Sequence, residues 1–86
     1  MEVKFHKRFE KRFKKMPANL RSKVIDTIEK FGESPFDRSL HNHQLTGKMA
    51  DFRSISISND IRIIFQEFEH YTIVIMLEVG SHNVVY

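Results

Sequence analysis

Apolar residues recur along the first third of the chain at the spacing of an α-helix. A first apolar stripe consists of Phe5, Phe9, Phe13 and Met16. A second consists of Leu20, Val24, Ile28 and Phe31. Pro17 lies between the stripes and either ends the first helix or starts the second. With Asn19 as a candidate N-cap and Gly32 as a candidate stop, the pattern predicts a helical hairpin, preceded by a short strand around Val3.

The apolar period changes to two within residues 51–58, as is typical of a strand. Arg53, Ile55 and Ile57 share one face of this segment, and Phe52, Ser54, Ser56 and Ser58 share the other. A turn at 59–60 leads to a second strand over 61–65, and a third spans 71–79, followed by a little more extended structure. The expected order is β-α-α-β-β-β: a helical hairpin packed on a small, mostly antiparallel twisted sheet, in one α+β domain of residues 1–86.

The size and composition of the chain narrow its class. A chain of 86 residues has a thin core, because a domain of this size buries only about 60% of its unfolded surface. A partner that covers apolar surface is therefore expected. The chain has no cysteine, which excludes disulfides and thiolate metal sites. No signal-peptide segment follows the N-terminus, and the longest apolar run, residues 73–77, is too short to span a membrane, so a soluble cytoplasmic protein is expected.

Positive charge is concentrated in the N-terminal third. The net charge is +3, and residues 1–31 contain ten lysines and arginines but only four acidic residues, a local charge of +6. The remaining four basic and seven acidic residues lie in residues 32–86, a local charge of −3. A basic segment of this kind suits a polyanion such as nucleic acid, or an acidic protein partner. The alternative is an ordinary solvated helix face.

Two of the five histidines, His43 and His82, are placed where they could act together. One precedes the predicted strand meander and the other follows it, so both can lie at one rim of the sheet. An imidazole with a pKa of about 6.5 can accept or donate a proton at neutral pH. RNA supplies its own nucleophile, the 2′-hydroxyl, so cleavage needs only a base, an acid and cations for the developing charge. Taken singly, each histidine could instead be a hydrogen-bonded loop residue.

Four further side chains could complete such a site. Arg53 and Arg62 flank the predicted turn, and a guanidinium binds phosphate as a bidentate fork; the alternative is a cross-strand ion pair. Asp60 could act as a base, orient a histidine, or simply form the turn. Tyr86 could stack on a nucleotide base or anchor the C-terminus in the core.

A metal site is the weaker interpretation of the histidines. His41 and His43 have a spacing that could bind a metal ion if further ligands approached, and His82 is the one candidate for a third ligand. We expect neither a metal ion nor another cofactor.

Four segments, taken in order, form a recognisable pattern. They are the basic helical hairpin with its phenylalanine stripe, residues 42–47 (NHQLTG), residues 52–57 (FRSISI) followed by 60–65 (DIRIIF), and residues 79–86 (VGSHNVVY). This pattern resembles the RelE/ParE superfamily of bacterial and archaeal toxins, most closely its YafQ-like branch, over nearly the whole chain. The resemblance implies a RelE-like fold and a type II toxin that cleaves mRNA, usually in the ribosomal A site, and is held inactive by a cognate antitoxin.

The resemblance also implies roles for individual residues. His43 falls on a catalytic histidine of the branch and Asp60 on its aspartate. His82 falls on the proposed general acid, Tyr86 on the terminal aromatic residue, and Arg53 on the arginine that opens a strand.

Two positions depart from the branch. Ser56 stands where the branch often has a histidine, and Arg62 stands where it usually has an apolar residue. An arginine at that place is similar to the RelE and YoeB branches, where it contacts the scissile phosphate.

The expected function is therefore a metal-independent endoribonuclease that leaves a 2′,3′-cyclic phosphate. His43, helped by Asp60, would accept the 2′-hydroxyl proton, and His82 would protonate the 5′-oxygen. The other expected contacts with RNA are Arg62, Arg53, Lys48 and Tyr86. The expected partners are a cognate antitoxin in a hetero-oligomer, mRNA and the ribosome. The alternatives are a non-catalytic, ParE-like inhibitor of gyrase and an inactive homologue that only binds antitoxin.

Overall fold

The N-terminal third folds into the predicted helical hairpin. The computed structural model describes residues 1–85, with Val84 described by its backbone alone. Helix α1 spans Lys7–Lys14 and helix α2 spans Ala18–Glu33. His6 caps α1, because its Nδ1 accepts a hydrogen bond of 3.1 Å from the backbone N–H of Arg8. None of the helices in this described part is long and apolar enough to cross a membrane.

Helix α2 starts at Pro17, one of the two predicted alternatives, but the predicted cap Asn19 and the predicted stop Gly32 are both wrong. Pro17, with φ −59°, is the N-cap, and Asn19 lies inside the first turn; the fixed φ and missing N–H of proline suit a helix start. Gly32 does not stop the helix, which continues to Glu33. The chain leaves the helix at Ser34 (φ −150°, ψ 86°) because Pro35 restricts the residue before it to extended backbone.

Five strands form one mixed sheet. They are β1 Glu2–Phe5, β2 His43–Gln44, β3 Arg53–Ser56, β4 Ile61–Phe68 and β5 Ile73–Ser81. Their order across the sheet is β1-β5-β4-β3-β2. The β1–β5 pair is parallel and the other three pairs are antiparallel. The mostly antiparallel α+β architecture is confirmed, and the edge strand β2 is an addition that the sequence pattern did not predict.

The C-terminal segment turns into a short helix instead of staying extended. Ile61 is the first residue of β4 and pairs with Ser81, so the β4–β5 ladder ends there. The next backbone N–H, that of His82, donates to the Asp60 carbonyl oxygen at 3.1 Å. Helix α3, His82–Val85, then folds back and buries Val85.

The two faces of the sheet differ in composition. The helices cover one face, and the core lies between them. Its buried members are Phe9, Val24, Phe31, Leu40, Ile55, Ile63, Phe65, Val74, Met76 and Val79. The opposite face, called the open face below, carries Ser54, Ser56, Arg62, Ile64, Glu78 and Gly80, of which Ser54, Ile64 and Glu78 are buried. The small and charged side chains of the open face are where a site can form.

Candidate functional site

Cross-strand pairing places His43 and Arg62 on the open face. Ser56 pairs with Arg62, and His43 pairs with Ser54, two residues away along β3. Paired residues of antiparallel strands project to the same side, as do residues two apart on one strand. From strand spacing and rise, the Cα atoms of His43 and Arg62 are roughly 12 Å apart. Both side chains can therefore reach one ligand between them.

A cavity of about 490 Å³ opens at this place. It is lined by Ser39, His41, His43, Ser56, Ile57, Ser58, Asn59 and Arg62. Its volume falls in the range of roughly 300–1,000 Å³ that small-molecule sites occupy. The cavity thus has room for a nucleotide beside an imidazole and a guanidinium.

The ring of His43 is oriented by the backbone of its own loop. Its Nδ1 lies 2.8 Å from the carbonyl oxygen of His41. A carbonyl can only accept, so this contact requires the proton on Nδ1 and leaves the lone pair of the neutral ring on Nε2. His41 directs its carbonyl from the left-handed region, at φ 49° and ψ 45°. The exposed His43 ring is thereby set as a proton acceptor at Nε2.

The short 3₁₀ turn before His41, Arg38–Leu40, is capped by Asp37. The Oδ1 atom of Asp37 accepts from Ser39 Oγ at 2.7 Å and from the Ser39 backbone N–H at 2.9 Å. These two hydrogen bonds, helped by the nearby charge of Lys30, hold the pKa of Asp37 below its ordinary value. Leu40 at the end of the turn is buried, so the turn is anchored at both ends.

Arg62 is held by the strand opposite it. Its Nη1 donates to Ser56 Oγ and, at 3.2 Å, to the Ser58 carbonyl oxygen. Both contacts use Nη1, so the Nε and Nη2 protons of the fork remain for a phosphate. Ser56 and Arg62, the two positions that depart from the branch, are therefore in contact with each other. The small Ser56 side chain leaves room for the Arg62 side chain and also accepts a hydrogen bond from it.

Asp60 lies beside His82. The His82 backbone N–H donates to the Asp60 carbonyl oxygen, and both residues are exposed. The expected assistance of His43 by Asp60 stays a prediction, and the contact that the structure shows for Asp60 is the one with His82.

Arg53 lies on the opposite face from Arg62, and the structure does not bring the two together. Its Nε donates to Asn42 Oδ1 at 2.8 Å, and its guanidinium carbon lies 5.6 Å from the centre of the Phe36 ring. Asn42 also donates to the Tyr71 hydroxyl at 3.1 Å. Arg53 thus supports the loop before His43 from the face of the sheet opposite to the open face. Neither a phosphate site shared with Arg62 nor a cross-strand ion pair describes its contacts.

The remaining predicted residues are less informative. Lys48 is exposed in a second 3₁₀ turn, Gly47–Met49, and does not line the cavity. Tyr86 lies outside the described residues. Within residues 1–85, no group of three or more histidine and acidic side chains is placed to hold a metal ion.

Several lining residues were missed by sequence reasoning. Ser39, Ser58 and Asn59 reach the cavity from loops, and His41 contributes a backbone carbonyl. Their position in the cavity depends on the conformation of the chain and on main-chain atoms, and the residue type predicts neither. The other lining residues, His43, Ser56, Ile57 and Arg62, lie within the motif segments.

A helical hairpin packed on a mixed five-stranded sheet is the fold of RelE-like toxins. Residues 1–86 match the family described as "Bacterial toxin of type II toxin-antitoxin system, YafQ". The chain belongs to this family. No curated protein sequence is similar enough to this chain to count as a match.

Solved structures of similar fold include several toxins. A YoeB/ParE toxin from Agrobacterium tumefaciens has a TM-score of 0.79 at 18% identity, covering 95% of this chain and 99% of its own. YafQ from Escherichia coli has a TM-score of 0.72 at 13% identity, with 99% and 97% covered. A RelBE toxin–antitoxin complex from Mycobacterium tuberculosis has a TM-score of 0.78 at 18% identity, with 94% and 90% covered. At these identities the likeness concerns the fold alone.

Proposed function

We propose that this toxin is a metal-independent endoribonuclease that cleaves mRNA on the ribosome, in the cytoplasm, and so inhibits translation. The observation that carries the proposal is the cavity that His43 and Arg62 both line, each with part of its side chain not used in the hydrogen bonds that hold it. A proton acceptor and a phosphate-binding cation within reach of one ligand are what 2′-hydroxyl attack requires. Membership of the toxin family supports the same chemistry.

The reaction follows from these groups. His43 Nε2 accepts the proton of the ribose 2′-hydroxyl, and the 2′-oxygen forms a bond to the adjacent phosphorus. The bond from phosphorus to the 5′-oxygen breaks, and the protonated ring of His82 donates a proton to that oxygen. Arg62 stabilises the charge on the non-bridging oxygens. The products are a 2′,3′-cyclic phosphate and a 5′-hydroxyl.

Supporting roles are assigned by position. Asp60, whose backbone carbonyl oxygen accepts from the His82 backbone N–H, positions the start of the segment that carries His82. Arg53 holds the loop of His43 through Asn42. Lys48 and Tyr86 remain proposed contacts for the RNA strand and a base. Positioning of mRNA by the ribosome supplies part of the geometry.

Histidine substitutions test the proposal. His43→Gln and His82→Gln should each lower the rate of mRNA cleavage by roughly 10²–10⁴-fold, the usual contribution of general acid–base catalysis. His70→Gln is the matched control, because His70 is exposed in the turn between β4 and β5. Cleavage is followed in a translating extract by primer extension, and circular dichroism checks the fold of each variant.

Two results would contradict the proposal. One is equal cleavage by wild type and both site variants. The other is inhibition of gyrase by wild type with no new 5′ ends on mRNA, which would point to a ParE-like binder. Apart from these two results, products that carry a 5′-phosphate would exclude the 2′-hydroxyl mechanism, although not an endoribonuclease as such.

We also propose a cognate antitoxin as the partner, in a hetero-oligomer. An apolar groove of about 300 Å³ lies between α1 and α2, and it is lined by Phe5, Phe9, Glu10, Phe13, Lys14, Ile25 and Ile28. Phe5 and Ile25 are 44% and 48% exposed, a degree of apolar exposure typical of an interaction surface. Similar folds were solved as toxin–antitoxin complexes from Mycobacterium tuberculosis and Pyrococcus horikoshii.

A further inference from the structure

Glu78 is a buried carboxylate on a strand that is otherwise apolar. It lies on β5, is only 7% exposed, and pairs with Ile64 of β4. Ile64 pairs with Ser54, which pairs with His43, so one cross-strand row on the open face runs from His43 to Glu78. A charge in such a position is costly unless cations compensate it.

Two arginines of α1 provide the compensation. Arg12 Nε lies 2.8 Å from Glu78 Oε1, and Arg8 Nη2 lies 3.2 Å from Glu78 Oε2. The contact between Arg12 and Glu78 is an ion pair whose geometry is not that of a hydrogen bond. Glu78 Oε1 therefore has no hydrogen-bond donor among the described residues. The side chain of Arg8 is 74% exposed and that of Arg12 is 46% exposed. One buried anchor thus holds two guanidinium groups whose outer sides face solvent.

The positive charge around Glu78 exceeds the charge that would neutralise one carboxylate. A cavity of about 340 Å³ at this place is lined by Arg8, Lys11, Arg12, Lys15 and Glu78. Four cations around one carboxylate leave a net positive site, whereas a purely structural ion pair would be close to neutral. The excess suits an anion that approaches from solvent.

The position fits an RNA strand that runs along the open face. Arg62 pairs with Gly80, two residues from Glu78 on the same strand. By strand spacing and rise, the Cα atoms of Arg62 and Glu78 are therefore roughly 8 Å apart. A phosphate held between Arg8 and Arg12 would lie a short stretch of extended RNA away from the phosphate held by Arg62.

We propose that Arg8 and Arg12, oriented by Glu78, bind a second phosphate of the RNA substrate, close to the one that is cleaved. The proposal rests on the endoribonuclease function proposed above. Glu78 is a positioning residue: it does not touch RNA but fixes two forks in one orientation, which lowers the entropic cost of binding phosphate.

The test measures binding separately from cleavage. Fluorescence anisotropy is recorded with a short 2′-O-methyl oligoribonucleotide, which has no free 2′-hydroxyl and is not cleaved. Arg8→Gln and Arg12→Gln should each weaken binding roughly tenfold, as expected for one charge-assisted hydrogen bond. Each should also lower the slope of log affinity against log salt by about 0.7. Lys23→Gln on α2 removes the same charge from an exposed position and should change affinity far less.

Glu78→Gln separates positioning from simple electrostatics. This substitution keeps the size of the side chain and makes the protein more positive, so charge alone predicts tighter binding. Loss of the anchor predicts weaker binding, and this is the expected result. In cleavage assays Arg12→Gln should raise KM and leave kcat nearly unchanged, and Arg12→Lys, which keeps the charge without the fork, should restore affinity only in part.

The outcomes are distinct. Equal losses for Arg12→Gln and Lys23→Gln, tighter binding by Glu78→Gln, or no binding of the oligonucleotide by wild type would each overturn the site. The second phosphate site would also be overturned if Arg8→Gln and Arg12→Gln lost binding to an acidic protein but bound RNA as tightly as wild type. If wild type binds the oligonucleotide through Arg8 and Arg12 but cleaves no RNA, the second phosphate site stands and the proposed enzymatic function fails.

Discussion

Arg62 and Arg53 have the same side chain and different surroundings. Arg62 lies on the open face, where Ser56 and the Ser58 carbonyl hold one side of its fork. Arg53 lies among the residues that support the loop before His43, bonded to Asn42 and stacked over Phe36. The first arginine is thus placed for a ligand and the second for structure.

Parallel substitution of the two arginines should separate these roles. Arg62→Gln should lower cleavage by roughly 10²–10³-fold, the effect of removing one preorganised charge stabiliser, with little change in urea stability. Arg53→Gln should instead cost about 1–3 kcal/mol of unfolding free energy, through the lost hydrogen bond and cation–π contact. Single-turnover cleavage and urea unfolding are measured on both variants. A stability loss in Arg62→Gln larger than that in Arg53→Gln would reverse the assignment.

At the scale of elements, the connection from α2 to β2 determines where His43 points. Asp37 caps its 3₁₀ turn, Leu40 anchors the turn in the core, and His41 adopts the left-handed conformation that aims its carbonyl at His43. A non-glycine residue held at positive φ requires support from its surroundings. The capped and anchored turn provides that support.

The Asp37 cap makes a pH-dependent contribution to stability. Its pKa is lowered on folding from an ordinary 3.8, chiefly by the hydrogen bonds from Ser39. A carboxyl with a depressed folded pKa stabilises the fold above its unfolded pKa, and this stabilisation disappears as pH falls through the folded pKa. Wild type should therefore lose more stability than Asp37→Asn when the pH is lowered from 5 to well below 3.8.

Urea unfolding of both proteins across this range measures the difference, and the other carboxyls cancel in the comparison. Identical pH profiles would show that the cap does not act through its charge.

At the scale of the whole molecule, one face of the sheet carries the main hydrophobic core, whereas the opposite face carries Arg62 and the cavity. The parallel β1–β5 pair joins the first strand to the last and closes the core over α1 and α2. Phe65 lies at the centre of this core, with ring centroids 4.9 Å from Phe31 and 6.3 Å from Tyr71. In a small domain such a cluster carries a large share of the stability.

Truncation of Phe65 should therefore be severe. Phe65→Ala should cost about 3–5 kcal/mol of unfolding free energy, a large part of the roughly 5–15 kcal/mol typical of small domains. Phe68→Ala is the matched control on the same strand, because Phe68 is 39% exposed; its cost should be about 1 kcal/mol or less. Chemical denaturation gives both values, and similar costs would contradict the assigned core.

The helical hairpin and the strands could be predicted from the sequence because their signals are local. The two stripes that contain Phe9 and Val24 have the period of a helix, and residues 51–58 have the period of a strand. The start of α2 at Pro17 was one of two predicted alternatives, whereas the helix end at Ser34, the edge strand β2 and helix α3 were not predicted. These features depend on where the chain must turn to meet the sheet, and candidate caps such as Asn19 were outweighed by a neighbouring proline.

For the site, residue chemistry on its own singled out His43, Asp60, Arg62 and His82, since few side chains transfer protons or bind phosphate. Only the tertiary structure decided which of them meet. Strand register put Arg62 opposite Ser56 and separated it from Arg53. Loop closure placed a backbone carbonyl on His43 and set Asp60 beside His82. Register and main-chain contacts arise from pairing between residues distant in the chain, and no local pattern of side chains encodes them.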